Sequence, residues 1–589
     1  MAFQYYAALD IGTSHSGYAY ISRNDLKNNM SPKIQAIWKH MLFPYCKDAS
    51  YILYEIDPQG FGTPKAYGYG ALALYQRNPK VNLELIKHFK LRLSPHNKEE
   101  PLPGKLTVAQ ILKDYMNYIK TNALAAMRVD DPNLDENTIA WAITVPAIWT
   151  DQAKRLMREA CFATGIIPTF DSDKMRIVLE PEAAAICALT EKRSGFELKD
   201  GESVVVLDAG GGTADITSLK MTPSGLQQLI PSSGCLVGSI NITKALEEKY
   251  REKVGMDAYQ RAKRSDPRFF DKIYREFDQV KNDFNLDPTM DEVPNRAEIT
   301  MSNSLFNALS PDMQNHFRRV QNGCTDKVYF STRDIESAFD PVIKVIFQSL
   351  QEHIEKLEQV EQRQVSNILV VGGFARSAYF VSCLKRRYSY ALKVPADPES
   401  CILKGAVYYL TNVIQSDPPR GQQTAPAGDA VPDESFAPRF PIVSRAMTYT
   451  CGIAATKASP RPEPGYIWDE RAKEYSLKNA FLKFVTIGQV VNPSEVKEIK
   501  VSPNLDTSRA VTFTLFYSPD KDPQLISDLA HLPNGGQIVT ETFYVPPEYQ
   551  HLGRKNEFVV RIKFGETELN CEITHTQSGQ VQHFFALSR

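Results

Sequence analysis

Two stretches of the chain share one pattern of apolar and polar positions. In one, an apolar run over Ser203–Ala209 carries an aspartate near its end and leads into three glycines. Polar and apolar residues then alternate, which is typical of a strand and differs from the helix that follows a P-loop or a dinucleotide-binding turn. Tyr6–Tyr20 repeats this arrangement around Asp10 and Gly12. We therefore predict two β-hairpins, in two related half-domains that face each other across a cleft.

The turns of these hairpins combine an acidic residue with glycine. Glycine adopts positive φ and lets backbone N–H groups approach an anion that a Cβ would keep away. For either turn alone, a tight hairpin closed by an Asx hydrogen bond is the alternative. The pair, in this order along one chain, favours a polyphosphate site with its metal.

Periodicity and turn residues predict the other elements. Apolar residues at helical spacing, with capping residues such as Thr107, predict helices at 105–128, 151–164, 181–189, 241–253, 255–285, 332–357, 377–387 and 400–410. Apolar runs predict strands at 138–147, 175–180, 297–301, 327–330 and 367–371. The lysines of Leu83–Leu93 are predicted to be the solvated edge of an amphipathic segment. Gly405 lies inside a predicted helix and indicates a close helix contact.

The composition changes after the last predicted helix. Residues 416–440 are rich in Pro, Gly, Gln and Asp, which is typical of a linker. Alternating runs follow at Ala510–Tyr517, Gly536–Val545, Phe558–Phe564 and Glu568–His575. We therefore predict a β-rich C-terminal module at 441–589 with no evident helical lid.

Composition excludes several classes of function. The 589 residues are 43% hydrophobic, and 68 basic residues face 69 acidic ones, so the chain has no basic field for nucleic acid. No apolar run is long enough to span a bilayer, and no secretory leader is evident. Nine scattered cysteines fit reduced thiols, and sparse histidines give no zinc-ligand spacing. We expect a cytoplasmic protein, with the nucleus as an alternative.

The order of the motifs resembles the signature of the actin, sugar-kinase and heat-shock 70 ATPase superfamily over about residues 5–415. The motifs are Asp10-Ile11-Gly12-Thr13, Leu179-Glu180-Pro181-Glu182, Asp208-Ala209-Gly210-Gly211-Gly212-Thr213, Val371-Gly372-Gly373-Phe374 and Leu403-Lys404-Gly405-Ala406. The stretches Trp141–Trp149, Met157–Ala160 and Met447–Tyr449 look closer still to the divergent heat shock 70 kDa protein 12 group.

This resemblance implies an α/β fold: a two-lobed, actin-like (ribonuclease H-like) ATPase domain at 1–415, followed by a β-rich C-terminal domain. Lobe I would comprise about 1–202 and 390–415, and lobe II about 203–389. Ala184 and Gly405 would lie on two helices that cross at the hinge between the lobes.

The resemblance also implies a catalytic set for Mg-ATP, namely Asp10, Lys90, Glu180, Asp208 and Thr213. Asp10 and Asp208, on opposite lobes, would hold the waters of a hydrated Mg²⁺. Glu180 would orient those waters or the attacking water, and Thr213 would hydrogen-bond a phosphate or that water. Lys90 is the candidate for the lysine at the γ-phosphate, with Lys87 as the alternative.

Residues that would bind ATP or ADP follow from the same motifs. They are Gly12, Thr13, Ser14, Gly210, Gly211, Gly212, Gly238, Asp278, Lys281, Gly372, Gly373 and Arg376. In the family's adenine pocket one helix carries a glutamate, a lysine and an arginine. Here Asp278 and Lys281 match the first two, and Asn282 stands in place of the arginine. Arg376 would then stack on the base alone.

The function implied is slow hydrolysis of ATP that couples lobe closure to the binding of a protein client or regulatory partner by the C-terminal module. Pro146 and Lys154 match a family segment implicated in relaying nucleotide state. A non-catalytic, nucleotide-sensing adaptor is the main alternative, because the family's leucine-rich linker and its lid are missing. A metabolite kinase and an actin-like polymer are further alternatives on the same scaffold.

Overall fold

The structure is a computed structural model. It describes residues 3–41, 44–77, 82–93, 101–170, 172–191, 194–285, 296–320, 323, 325–388, 391–416, 440–470, 473–492, 495–503, 509–564, 567 and 569–586. The linker predicted at 416–440 lies almost wholly outside the described residues. Within them, no helix combines the length and apolar character needed to cross a membrane.

Lobe I is built on a sheet with strand order β3-β2-β1-β8-β9, in which β4 also pairs with β2. Its elements are β1 (Tyr5–Asp10), β2 (His15–Ser22), α1 (Arg23–Lys27), β3 (Lys33–Ile34), β4 (Asp48–Ala49), β5 (Ile52–Ile56), β6 (Gly62–Tyr67), α2 (Gly68–Arg77), β7 (Leu83–Ile86), α3 (Val108–Asp130), β8 (Ile139–Val145), α4 (Asp151–Ala163), β9 (Met175–Leu179) and α5 (Glu180–Thr190). Strands β5, β6 and β7 form a separate small sheet.

Lobe II is built on a second mixed sheet, which begins with the order β17-β16-β10-β11-β12. Its elements, and the helix that follows them, are β10 (Ser203–Ala209), β11 (Ala214–Thr222), β12 (Gly225–Gln228), β13 (Ser233–Cys235), α6 (Ser239–Val254), α7 (Met256–Ser265), α8 (Pro267–Asp283), β14 (Arg296–Thr300), α9 (Asn303–Ala308), α10 (Pro311–Val320), β15 (Lys327–Ser331), α11 (Thr332–Glu361), β16 (Ile368–Val371), α12 (Ala378–Tyr388), β17 (Leu392–Lys393) and α13 (Cys401–Ser416).

Both sheets are apolar on both faces because helices cover each side. In β1, Ala7 and Leu9 join the core formed with α3 and α4, whereas Ala8 faces α5 and α13. In β10, Val205 packs toward α6 and α11, and Val206 faces α5 and α13. The two central helices therefore lie between the two sheets and share one core with both.

Gly405 lies where α13 crosses α5. A Cβ built at Gly405 would lie 1.7 Å from the carbonyl oxygen of Ala183, so only glycine permits this approach of the two backbones. The close helix contact predicted at Gly405 is thus confirmed.

Residues 83–93 differ from the prediction of a solvated edge. Leu83–Ile86 is a strand, and Phe89–Leu93 is a 3₁₀ turn in which Phe89, Lys90 and Leu93 are buried. Two short elements in succession leave no helical period to detect.

The C-terminal module begins with a strand that belongs to the lobe II sheet. β18 (Ile442–Ala446) pairs in parallel with β12 and continues the sheet to β22 (Val490–Val491). The other strands are β19 (Thr450–Ser459), β20 (Ile467–Asp469), β21 (Glu474–Val485), β23 (Val496–Val501), β24 (Ala510–Ser518), β25 (Gln537–Tyr544), β26 (Phe558–Lys563), β27 (Leu569–His575) and β28 (Val581–Ala586).

These strands form two antiparallel sheets, with orders β20-β21-β19-β24-β25 and β23-β26-β27-β28. Alternate residues such as Phe513 and Leu515 in β24, and Val560 and Ile562 in β26, share one buried core. Thr514, which lies between Phe513 and Leu515 in β24, faces outward beside Thr540 of β25. The predicted α/β architecture with a β-rich C-terminal part is confirmed.

Candidate functional site

A cavity of about 680 Å³ is lined by residues of both lobes. This volume is in the range of small-molecule sites. The predicted residues that line it are Asp10, Gly12, Thr13, Ser14, Lys90, Glu180, Asp208, Gly210, Gly211, Thr213, Asp278, Lys281, Gly372, Gly373 and Arg376. Gly212, in the β10–β11 turn, and Gly238, just before α6, are not among the lining residues.

Strand direction brings the acidic residues together. β1, β8 and β9 run parallel, so Asp10 at the end of β1 and Glu180 just after β9 lie at the same edge of the lobe I sheet. In lobe II, β10 runs parallel to β16, and Asp208 is opposite Val371, just before Gly372. The carboxyl ends of both sheets therefore open onto the cavity.

Lys90 reaches Glu180 inside the cavity. The Nζ of Lys90 lies 2.8 Å from Oε1 of Glu180, and the ammonium also lies 5.1 Å from the ring centre of Trp149. Burial raises the pKa of Glu180 above its ordinary value, although the charge of Lys90 opposes this. Lys87 instead lies over the rings of Tyr51 and Tyr274. Asp10, Glu180 and Asp208 form an acidic cluster in the cavity. Of the two candidate lysines, the geometry therefore places Lys90 beside this cluster.

Lys47, which sequence reasoning missed, forms an ion pair with Asp10. Its Nζ contacts Oδ2 of Asp10, while Thr144 Oγ1 donates to Oδ1 at 2.9 Å. Burial would raise the pKa of Asp10, but the charges of Lys47 and Lys90 outweigh burial and hold it below its ordinary value. Lys47 stands in an irregular stretch just before the two-residue strand β4, where no periodicity marks it.

Asp208 has an oxygen without a partner. Its Oδ1 is buried and accepts no hydrogen bond from any residue that the structure describes. Burial, and then the charges of Glu180 and Asp215, raise the pKa of Asp208 well above its ordinary value. Such an atom is suited to a cation or an ordered water.

Asp215, seven residues further along the hairpin, was not predicted as a site residue. Its Oδ1 accepts a hydrogen bond from the backbone N–H of Ile148 at 3.0 Å. Burial and the charge of Glu180 raise its pKa to about 7. The pairing of Asp208 with Asp215 across the β10–β11 hairpin could have indicated that both belong to the acidic cluster.

The two glycine turns touch each other across the cleft. A Cβ at Gly211 would lie 2.4 Å from Oγ of Ser14, and one at Gly212 would lie 3.0 Å from Oγ1 of Thr13. Gly238 begins α6 against the carbonyl of Gly211, at 2.5 Å from a built Cβ. Side chains at Gly211 and Gly212 would therefore crowd Ser14 and Thr13 of the other lobe, whereas one at Gly238 would crowd the Gly211 backbone of its own lobe.

The backbone of Gly372 lies in close contact with the Asp208 carboxylate. Gly372 has φ of +87°, and a Cβ there would lie 2.3 Å from Oδ1 of Asp208. Gly373 follows on the same turn and lines the cavity.

The far end of the cavity holds the residues predicted to contact a base. Lys281 Nζ lies 2.7 Å from Oδ1 of Asp278, and Thr243 Oγ1 donates to the same oxygen at 2.8 Å. Burial would raise the pKa of Asp278, but Lys281 outweighs it and lowers that pKa. Asn282 also lines the cavity.

Arg376, predicted to stack on the base, lines the cavity beside Tyr45. Its guanidinium lies 5.1 Å from the ring centre of Tyr45 and 3.8 Å from the carboxylate of Glu399. Tyr45, which also lines the cavity, adds an aromatic face that the sequence prediction did not include.

A family model described as "Hsp70 protein" matches residues 97–415, more than half of the chain. The chain belongs to the Hsp70 family. Human heat shock 70 kDa protein 12B is 23% identical over 663 aligned positions, covering 96% of this chain and 88% of that protein. Human heat shock 70 kDa protein 12A is 24% identical over 485 positions, covering 69% of each chain. The mouse 12A protein is 24% identical and covers 68% of each.

These matches confirm the predicted family and the likeness to the heat shock 70 kDa protein 12 group. Membership of the Hsp70 family implies that the chain binds ATP. The cavity between the two lobes, with its glycine turns, is where the fold offers room for such a ligand.

The magnesium ion expected in an Hsp70-family site fits the residues on one side only. Asp208 offers the buried, unpartnered Oδ1 described above. Both oxygens of Asp10, in contrast, are engaged by Lys47 and Thr144. Across the part of the chain that the structure describes, no three His, Cys, Asp or Glu side chains stand together as metal ligands.

Proposed function

We propose that this Hsp70-family chain binds ATP in the interlobe cavity and hydrolyses it slowly to ADP and phosphate. The observation that carries the proposal is the convergence of Lys90, Glu180 and Asp208 on one cavity walled by the glycine turns of both lobes. Phosphoryl transfer to water depends mainly on positioning and on charge stabilisation, and a cluster of this kind supplies both.

The roles follow from chemistry and position. The Lys90 ammonium would neutralise the γ-phosphate, and the Glu180 carboxylate beside it would accept a hydrogen bond from the attacking water. Thr213, buried at the hairpin turn, would hydrogen-bond a phosphate oxygen. Magnesium that accompanies ATP would be held on the Asp208 side and would supply further neutralisation of phosphate charge.

A phosphate-release assay on the purified chain tests the enzymatic part. We expect slow release that falls by at least about tenfold in Lys90→Met and Asp208→Asn, a loss of ~1.4 kcal/mol or more of transition-state stabilisation. ATP binding is measured separately by calorimetry. If wild type binds ATP but releases no more phosphate than Asp208→Asn, hydrolysis is excluded and nucleotide binding stands.

We further propose that nucleotide state reaches the C-terminal module through α4. Asp215 in the cleft accepts from the N–H of Ile148, which lies between Pro146 and the start of α4. On α4, Lys154 Nζ donates to the carbonyl of Thr567 at 3.4 Å, and Thr567 Oγ1 donates to the carbonyl of Ile177 in β9. These contacts support a direct path from the acidic cluster to the module.

A partner surface on the module is favoured by one edge of its five-stranded sheet. β20 is the edge strand there, and Ile467 and Trp468 in it are 75% and 43% exposed. Edge strands with exposed apolar side chains are suited to adding a strand from another protein. We propose that a protein client or regulatory partner binds at this edge, and Trp468→Ala would then weaken binding of such a partner without changing ATP affinity.

A non-hydrolysing nucleotide sensor is the second candidate. Two observations favour it. Asn282 stands where the family's base-stacking arginine is expected, and both oxygens of Asp10 are already engaged by Lys47 and Thr144. An ATP-dependent change in partner binding, with no phosphate release, would select this candidate over the slow ATPase.

A further inference from the structure

The ion pair between Lys47 and Asp10 lies where the resemblance predicted a hydrated magnesium. Lys47 is 8% exposed and lines the cavity. It contacts Asp10, one of the two aspartates that were expected to share the metal. The Lys47 ammonium is therefore a positive charge that the chain itself places beside the buried Asp10 carboxylate.

The fold makes room for this lysine in particular. Gly17 is directly opposite Asp10 in the β1–β2 register. A Cβ at Gly17 would lie 3.1 Å from Cγ of Lys47 and 2.7 Å from the carbonyl of Cys46. The hairpin therefore lacks a side chain at the one position where the stem of Lys47 passes.

The neighbouring acid does not compete for Lys47. The Asp48 carboxylate accepts hydrogen bonds from the N–H of Tyr69 at 3.0 Å and from the hydroxyl of Tyr118 at 2.6 Å. β4, which contains Asp48, pairs with β2 through Ser16. The segment that carries Lys47 is thus anchored on lobe I, and its ammonium contacts Asp10, which lines the cavity.

The charge of Lys47 extends to the whole acidic cluster. Burial acts to raise the pKa of Asp10, Glu180 and Asp208, and the charge of Lys47 opposes this effect at each of them, although the net shift of Glu180 and Asp208 remains upward. An ammonium carries three N–H donors. With one donor on Asp10, two remain for other oxygens, such as those of a phosphate.

We infer that Lys47 takes the place of a divalent cation at Asp10, so that this chain binds the phosphates of ATP without requiring magnesium. The inference rests on the proposed binding of ATP in this cavity. Lys47 neutralises Asp10, which would otherwise repel the triphosphate, and presents its remaining donors to the phosphates. A single positive charge does this without the ordered water shell that Mg²⁺ retains.

Calorimetric titration of the full chain with ATP, in excess EDTA and in excess magnesium, tests this inference. We expect the two dissociation constants of wild type to agree within about threefold. Lys47→Met is expected to lose about tenfold or more in EDTA, ~1.4 kcal/mol, and to recover much of the loss in magnesium. Lys65→Met, which removes an ammonium paired with Glu55 at 2.7 Å outside the cavity, is the matched control and should behave as wild type.

Asp10→Asn is the second variant, because Lys47→Met leaves a buried carboxylate without its cation. Asp10→Asn frees Lys47 for the phosphates, so we expect ATP affinity in EDTA equal to or higher than that of wild type. Circular dichroism without nucleotide establishes that each variant is folded.

The outcomes separate the inference from the function on which it rests. Binding in magnesium that disappears in EDTA overturns the inference and leaves ATP binding intact. A Lys47→Met chain that matches wild type in both buffers, or an Asp10→Asn chain that loses only its magnesium-dependent affinity, also overturns it. No binding in either buffer removes the proposed function itself.

Discussion

The guanidinium of Arg445 holds both carboxylate oxygens of Glu182. Its Nε lies 2.8 Å from Oε1 and its Nη2 lies 2.7 Å from Oε2, with Glu182 fully buried and Arg445 7% exposed. Glu182 is in the first turn of α5, between the two lobes, and Arg445 is in β18. This two-pronged pair therefore ties the beginning of the C-terminal module to the centre of the two-lobed fold.

Loss of this pair should destabilise the protein strongly. Arg445→Met leaves the Glu182 charge buried without its partner, and breaking a buried pair in this way costs about 3–5 kcal/mol. We expect a clear fall in the urea midpoint of unfolding. Arg128→Met, which breaks an exposed pair with Glu136, should cost less than about 1 kcal/mol. Equal effects of the two variants would contradict the prediction.

Gly405→Ala should separate the two central helices. The added methyl would meet the backbone of Ala183, which cannot move without shifting α5, so we expect a loss of about 1–3 kcal/mol in the free energy of unfolding. Gly70→Ala is the matched change in a helix, where the nearest atom to the new methyl is the side chain of His40 at 3.3 Å. Because alanine favours helix over glycine, Gly70→Ala should be neutral or slightly stabilising. Thermal unfolding of both variants measures the difference.

Asp215 should make stability depend on pH. Its pKa is raised from 3.8 to about 7, so between these values the folded chain keeps a proton that the unfolded chain loses. The folded state then binds more protons than the unfolded state, and the contribution of Asp215 to stability falls as pH rises through this window.

Asp215→Asn removes this dependence while its side-chain oxygen can still accept from the N–H of Ile148. We expect the variant to gain stability relative to wild type as pH rises from about 4 to about 7, and the difference to level off above. Urea unfolding at a series of pH values measures it. A difference that stays constant over this range would show that Asp215 is ionised in the folded protein.

Lys154 should matter for coupling and not for nucleotide affinity. Lys154→Met removes the contact with the Thr567 carbonyl, so we expect ATP to bind within about twofold of wild type. The ATP-induced change in hydrogen exchange in β27 should, however, become smaller. Arg155→Met, which affects a pair with Glu159 on the same helix, is the control and should keep the full change. Loss of the change in both variants would indicate a general effect of α4.

Much of the fold could be predicted because its signals are local. The apolar run of β10, the glycines after it and the alternation of β11 predict the hairpin that the structure contains, and Pro181 stands in the first turn of its helix as expected. The helix predicted at 332–357 is present and extends to Glu361, and its apolar period is regular enough to predict it despite the interior Pro341. These elements are long, or are marked by residues with a strong backbone preference.

The rest depends on contacts between distant segments. Lys47 has no period, cap or motif to mark it, and its role appears only when β4 packs beside the first hairpin. Lys90 was predicted from the resemblance, whereas its surroundings in sequence suggested a solvated lysine. Gly212 and Gly238 were predicted to bind the nucleotide, yet neither lines the cavity, and Gly238 packs against the backbone of Gly211. The sequence of Ile442–Ala446 does not identify β12 as its partner, because the side chains of a five-residue strand do not specify which strand it pairs with.

The parallel pairing of β18 with β12 also decides how this chain can be divided. A break between 416 and 440 would leave the two fragments associated, since backbone hydrogen bonds and Arg445 still join them. If the two parts were instead produced separately, the N-terminal part would expose β12 as an unpaired sheet edge, and Arg445 in the C-terminal part would lack Glu182. Fusion or domain-exchange experiments should therefore place their junction after residue 446, so that the N-terminal half keeps β18 beside β12.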